Sequence, residues 1–478
     1  MPGVNVTTAT RSGPTAVVTA PSGQFFVAGQ AARGATDVPT LLTGFADFEE
    51  YFGDRVTYSH LSDTVKTFFE EGGAKCYAVR VVGSDATKGY LELEDADAAS
   101  DKTIKVEAAN AGAWSDALEV VVAGTTTKTI TINYDGEAKE VFTGTTVAEL
   151  LENAAGSKWV TLTDLASTST NKLPLNGTFN IGDDGTSGDD DRAGIVTADY
   201  TTALDVFDIS LGDGAVAIPG VGTTVHATLI AHASANRRIA LLDHSETAST
   251  ANLITAADAV NSEYAGLFAP WVQINTTSGS RYIPPVGYIA AVRNRAHVEA
   301  GPFRAAAGAI SVARFVTGLK YDYNRTTGDS LDTSKVNAIR LINNSVRNYG
   351  WRSLSDDTDN YALLTGRDLL NRLVTESEKR LEAFVFQTID GRGQLLSSIN
   401  GTIVGIVEPY RQAGGLFEKF DIEGNLVDPG YLVETGSNVN TLDNLANNEV
   451  KARLSVRISP SAALITVTIV KVGLLAGL

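Results

Sequence analysis

Residues 214–272 read GAVAIPGVGTTVHATLIAHASANRRIALLDHSETASTANLITAADAVNSEYAGLFAPWV, and this stretch decides the fold class. Ala215–Pro219, Arg238–Asp243 and Gly266–Val272 are short apolar runs of strand length. Between them, Thr223–Ser234 and Ala251–Ser262 have the length and spacing of helices. Short apolar strands alternating with helices of about 10–12 residues predict βαβ units and a sheet that is at least partly parallel.

Working outward, Phe25–Ala28 reads as a strand, followed by Thr40-Leu41-Leu42-Thr43 and a short amphipathic helix at Asp47–Phe52. Ser62–Glu71 predicts a second helix, because Val65, Phe68 and Phe69 fall at i, i+3 and i+4 on one face. Gly72-Gly73 ends it, and a Cys76–Val82 strand follows. These isolated strands are expected to join the later sheet from across an insertion. Residues 89–204 are that insertion: Thr-, Asp- and Gly-rich, with alternating segments at Lys102–Glu107, Leu118–Val122 and Lys128–Tyr134 and a turn at Asn133–Glu137. It ends in the acidic loop Gly182–Gly194, read as solvated. A calcium loop of the EF-hand type does not fit, since Gly185 and Ser187 take positions three and five and no Glu closes the loop.

The last segment has its own character. Leu363–Gln387 predicts a long helix with Leu370, Leu373, Val374, Leu381 and Phe384 as its stripe, and Arg367, Arg372, Glu376 and Lys379 outside it. Val450–Ile458 alternates cleanly, with Lys451, Arg453 and Arg457 on its polar face. Leu464–Val472 is β-branched and apolar on both faces, so it is either a central strand or one inserted into a neighbour. The expected plan is an α+β / α/β multidomain chain: an extended arm over 1–20, an α/β core from 21–88 plus 205–350, a β-rich insertion over 89–204, and a C-terminal α+β domain over 351–478 with exchanged terminal strands, 459–478 being donated.

Composition excludes several classes. A net charge of −18 over 478 residues opposes nucleic acid or an anionic membrane as main partner. No apolar run reaches the ~18–20 residues that span a bilayer. The opening MPGVNVTTATRSG has neither a basic n-region nor an apolar h-region, so no secretory signal is expected. Cys76 is the only cysteine, which excludes internal disulfides and CxxC motifs, fits a reducing compartment and reads as a buried small hydrophobe. His226 and His232 are six apart where a zinc pair needs i, i+4, and His60, His244 and His297 stand alone. No G-x-S-x-G, HExxH or Walker A occurs, and Gly212-x-Gly214 precedes a strand where a dinucleotide loop would follow one. No enzymatic activity, metal or cofactor is expected.

Several stretches, in order, resemble the contractile phage tail sheath family. Pro2-Gly3-Val4-Asn5-Val6 is similar to its PGVYV-type arm, with Asn5 where an aromatic is common. Phe25–Gly53 and Leu61–Val82 (LSDTVKTFFEEGGAKCYAVRVV) resemble its first core segments. Asn110–Val120 (NAGAWSDALEV) resembles NPG-x-WGN-x-L-x-V, with Asp116 for Asn. Ala269–Pro285 with Gly287–Val292 fits the YPW…PPSG-x-(V/I)-AG core, with Val286 for Ser, and Lys335–Trp351 resembles VN-x-(I/L)-R…W.

That resemblance implies a structural subunit that polymerises as six-fold rings around a tail tube protein, with baseplate and tail terminator proteins as further partners. It implies a virion component assembled in the host cytoplasm and no direct membrane insertion. It also implies that an N-terminal arm (Val4, Val6) and a C-terminal strand (Leu464, Ile465, Val467, Ile469, Val470, Val472) are donated to neighbouring subunits. Lys451, Arg453 and Arg457 are then expected to contact an acidic tube or neighbour. The alternatives are the sheath of a tailocin-like or other injection system, a secreted β-rich surface protein, and an α/β enzyme.

Overall fold

The computed structural model describes residues 23–98, 101–170, 172–276 and 279–463. The chain opens with β1 (Phe25–Gly29), β2 (Thr40–Leu42), α1 (Phe45–Phe52), α2 (Leu61–Glu70) and β3 (Cys76–Arg80). It then leaves for the insertion: β4 (Tyr90–Glu94), β5 (Lys102–Ala108), β6 (Leu118–Ala123), β7 (Lys128–Tyr134), β8 (Glu137–Gly144), α3 (Val147–Ala154), β9 (Val160–Asp164), β10 (Gly177–Asn180) and the short α4 (Ile181–Asp184). It returns through α5 (Thr197–Asp205), β11 (Gly214–Ala217), α6 (His226–Ala235), β12 (Arg238–Leu242), α7 (Thr250–Asp258) and β13 (Ala265–Ala269). β14 (Val272–Thr276), β15 (Gly279–Ile283) and β16 (Gly318–Leu319) form a small sheet, and the buried helix α8 (Val286–Glu299) lies between β15 and β16 in the chain. Then follow α9 (Arg325–Thr333), β17 (Val336–Ile342) and β18 (Ser345–Asn348).

The main sheet runs β18-β17-β13-β12-β11-β1-β3-β2, parallel except at its two outer strands. β1 pairs with both β3 and β11, so strands from either side of the insertion form one sheet. The strand residues alternate between two cores, as a pleated sheet covered on both faces requires. Phe25, Val27, Ile239 and Leu241 pack with α1, α2 and α8; Phe26, Ala28, Ala240 and Leu242 pack with α5, α6, α7 and α9. Cys76 lies fully buried in the first core, where burial pushes its thiol pKa well up and leaves it inert.

The insertion has a core of its own, from Leu91 to Ile181, between the sheets β4-β5-β9 and β10-β6-β7-β8. Its β7–β8 turn needs two left-handed residues, supplied by Asp135 (φ 52°) and Gly136 (φ 76°). Two boundaries differ from the sequence reading. α5, counted with the insertion, lies on the main sheet, where Tyr200, Ala203 and Leu204 are buried. Trp351, Leu354 and Leu364, counted with the C-terminal domain, are also buried in the main cores. In both places polar, Asp-rich flanks hide a short apolar face.

Candidate functional site

The C-terminal unit is built on α11 (Leu364–Leu381) and α12 (Gln394–Gln412), reached through the short α10 (Thr358–Tyr361). Leu369 and Leu373 on α11 face Ile399, Ile403, Ile406 and Val407 on α12. Burial of each such side chain is worth about 1.5–3 kcal/mol. Beyond α12 come two hairpins, β19 (Lys419–Phe420) with β20 (Leu426–Asp428), and β21 (Tyr431–Glu434) with β22 (Arg453–Val456). The short α13 (Leu442–Ala446) lies between β21 and β22.

β21 and β22 pair antiparallel from Tyr431↔Val456 to Glu434↔Arg453, and no third strand joins them among the described residues. One face is seated: Tyr431, Val433, Leu454 and Val456 pack on the α11–α12 core with Ile458 just beyond. The other face points outward, with Leu432 56% exposed. A groove of about 900 Å³ runs beside this hairpin, with Tyr361, Leu370, Leu432, Val456 and Ile458 on its apolar side and Asp357, Asp359, Asn360, Asp428 and Arg457 among its polar lining. Ten of the twenty-one exposed large apolar side chains of the described residues lie between Val374 and Leu442, among them Phe386, Ile422 and Leu442. A two-stranded sheet with open edges and a groove along it, in a unit rich in exposed apolar side chains, is a geometry that can accept an added strand.

No family model and no curated protein matches the sequence. Solved structures do match. A sheath tail protein of Listeria innocua superposes with a TM-score of 0.61 at 12% identity, over 88% of this chain and 90% of that one. A sheath tail protein of Desulfitobacterium hafniense gives 0.57 at 14%, over 90% and 93%. A chain of the anti-feeding prophage helical sheath in its contracted state gives 0.56 at 16%, over 98% and 99%. The fold is that of the contractile tail sheath proteins.

Within this sheath fold the C-terminal unit meets the core through buried charge. Arg293 on α8 donates to Asp368 on α11 at 2.6 Å. Arg372 donates to Asp213, which precedes β11, at 3.0 Å and to Glu376 at 2.8 Å, and Tyr410 on α12 donates to Glu376 at 2.8 Å. Burial pushes the Asp213 carboxyl pKa up, against the pull of Arg372. This corrects the sequence reading, which put Arg372 and Glu376 on a solvent face and Val374 in the stripe: both charged groups are buried, and Val374 is 41% exposed. The helix is covered on two sides, apolar toward α12 and polar toward the core. It also ends earlier than expected, at Leu381.

Lys451, Arg453 and Arg457 flank or lie on the outer side of β22, half-exposed, and each has an acidic partner in its own unit: Glu449 at 3.1 Å, Glu434 at 3.6 Å and Asp428 at 2.7 Å. The Arg457 bond holds Asp428 below the usual carboxylate range, and Lys451 does the same for Glu449. Val4, Val6, Leu464, Ile465, Val467, Ile469, Val470 and Val472 lie outside the described residues.

The histidines find structural partners. His226 contacts the Asp243 carbonyl at 2.8 Å, and His232 contacts Arg238 at 2.7 Å with its pKa pulled down by burial to about 4. Among the described residues no group of three or more His, Cys, Asp or Glu side chains is placed to hold a metal, and no helix is long and apolar enough to cross a membrane. The acidic loop, expected from its sequence to be solvated, is not wholly so, because Asp190 is buried against Arg80. Sequence reasoning missed α12 and strand β21. The signal for β21 was present in Asp428-Pro429-Gly430, a turn triplet immediately before the apolar Tyr431-Leu432-Val433.

Proposed function

We propose that this chain is a structural subunit of a contractile tail sheath, polymerising as six-fold rings around a tail tube and contracting to drive the tube through a cell envelope. The observation that carries the reading is the open-edged β21–β22 hairpin beside its groove, in a chain with the sheath fold. Its acceptor geometry complements two terminal segments of this sequence, Val4–Val6 and Leu464–Val472, whose alternating or doubly apolar character suits strand addition. Donated to the hairpin of the next subunit, they make a head-to-tail contact that does not close, which a tubular polymer needs. Contraction is then a rigid-body rotation of subunits with these arms as hinges. Lys451, Arg453 and Arg457 remain the proposed contact to the tube or a neighbour, reached by exchanging their present partners. Baseplate and tail terminator proteins bound the polymer at its two ends, in a particle assembled in the host cytoplasm.

A second reading, a sheath serving an extracellular injection system in place of a phage, draws support from one comparison. The PVC sheath of an extracellular contractile injection system aligns over 97% of this chain and 99% of that one, with a TM-score of 0.54 at 14% identity. Mass spectrometry of purified native particles separates the two, since only a phage carries a capsid protein.

Negative-stain microscopy of the purified chain tests the main reading. Striated hollow tubes are expected. Discrete monomers at every salt and concentration, with no tubes after addition of tail-tube protein, would sink it. Removal of residues 460–478 should leave folding intact by circular dichroism while abolishing the polymer.

A further inference from the structure

The charge of this chain is concentrated in one unit. Residues 89–195 carry seven Lys and Arg against nineteen Asp and Glu, a net −12 of the chain's −18, in a separately cored domain. The structure sharpens this asymmetry, because five of the seven basic side chains are already engaged by acids or an aromatic ring. Lys158 reaches out of the insertion to Glu50 of α1 at 3.0 Å, and the Arg192 guanidinium lies 4.3 Å over the ring of Tyr58 in the core. Lys102, Lys105 and Lys139 pair within the insertion with Glu94, Glu107 and Glu137. By contrast Glu92, Asp135, Glu152 and Asp183 are exposed and form no salt bridge among the described residues. Two cations thus sit at the seam with the core, while the unpaired acids face solvent.

We infer that the inserted domain is an electrostatic spacer that sets the ionic strength at which subunits associate. The inference rests on the sheath reading, which brings many copies of this domain close together around one axis. Like charges on neighbouring copies repel through solvent over a distance set by salt: the Debye length is about 30 Å at 0.01 M and about 8 Å at 0.15 M. At low salt the insertions of adjacent subunits repel one another across a gap comparable with a domain. At physiological salt they are screened and the arm contacts prevail.

The test is sedimentation of the full chain at ~10 mM and ~150 mM NaCl, reading the concentration of half-assembly. That concentration should be at least about tenfold higher at the lower salt. The combined variant Glu92→Gln, Asp135→Asn, Glu152→Gln, Asp183→Asn should lose most of this difference. A control with four exposed core acids neutralised, Asp37→Asn, Glu70→Gln, Asp258→Asn and Asp322→Asn, should keep it. Equal assembly of the unaltered chain at both salts overturns the inference and leaves the sheath reading standing. So does a control that shifts as far as the insertion variant. Absence of polymer at every salt overturns both.

Discussion

Replacing Asp190 by alanine should loosen the insertion from the core. Arg80 is the last residue of β3, and its guanidinium is held on three sides. Nε donates to the Ala31 carbonyl at 3.1 Å, Nη1 donates to the Ala111 carbonyl at 2.6 Å, and Nη2 pairs with the Asp190 carboxylate. The two side chains are only 1% and 8% exposed. Burial alone pulls the Arg80 pKa down, and Asp190 is the main charge opposing that pull. Asp190→Ala leaves a cation buried without its counter-charge, which costs about 3–5 kcal/mol. Because Ala111 and Asp190 belong to the insertion and Arg80 to the core, the loss should appear at the seam. Native-state hydrogen exchange followed by mass spectrometry reads it. At about 1.4 kcal/mol per tenfold, segments 83–95 and 185–195 should exchange more than about a hundredfold faster, while β1 keeps its protection. The double variant Arg80→Met, Asp190→Leu removes both charges and should recover much of the loss. An acceleration below about tenfold at both connections would refute the reasoning.

Other expectations follow from single contacts. A Cβ on Gly287 of α8 would sit 2.4 Å from the Thr64 carbonyl of α2, so Gly287→Ala should force the two helices apart at about 1–3 kcal/mol in denaturant unfolding. Arg372→Ala strands Asp213 and Glu376 in the buried seam and should cost about 3–5 kcal/mol, seen as faster exchange along α11. His232 has a folded pKa of about 4 against about 6.5 unfolded, so the unfolded chain takes up the proton first as pH falls. Stability contributed above pH ~6.5 is therefore lost toward pH ~4, by up to about 3 kcal/mol. His232→Gln should flatten that part of the pH profile, and an unchanged slope would contradict the assignment. Replacing Lys451, Arg453 and Arg457 together by alanine should shift stability by no more than about 1 kcal/mol per pair, since such exposed pairs are weak. Lost co-sedimentation with tail-tube protein would then report the contact itself, and full retention would remove these residues from it.

The sheet could be read from the sequence because its strands are short, apolar and separated by helices with a clear period. β11, β12 and β13 fall where residues 214–272 place them, within a residue or three at each end. The buried polar seam could not be read in that way. Arg372 and Glu376 sit i, i+4 on a helix, a spacing that also describes a solvent-exposed pair. Only Asp213, 159 residues away in sequence, makes them interior groups. α5 was missed because Thr and Asp surround its three buried residues, leaving little helical contrast. The β21–β22 hairpin was half legible. The alternation of Val450–Ile458 marked one strand, but nothing local marks an edge as unpaired, since that is a property of the whole sheet.

The two connections of the insertion run side by side. Gly83 donates to the Asp190 carbonyl at 3.1 Å, and Thr87 and Asp189 exchange backbone bonds at 2.9 and 3.0 Å. A chain that departs and returns through one doorway is modular. The entropy of closing a loop there grows only with the logarithm of its length, by about 0.6 kcal/mol per doubling. Material of any size with adjacent ends can hang from that doorway, provided the counter-charge that Asp190 gives to Arg80 of β3 is kept. An engineer who retains the Arg80–Asp190 pair can use the same socket to display a foreign domain while the scaffold beneath stays fixed.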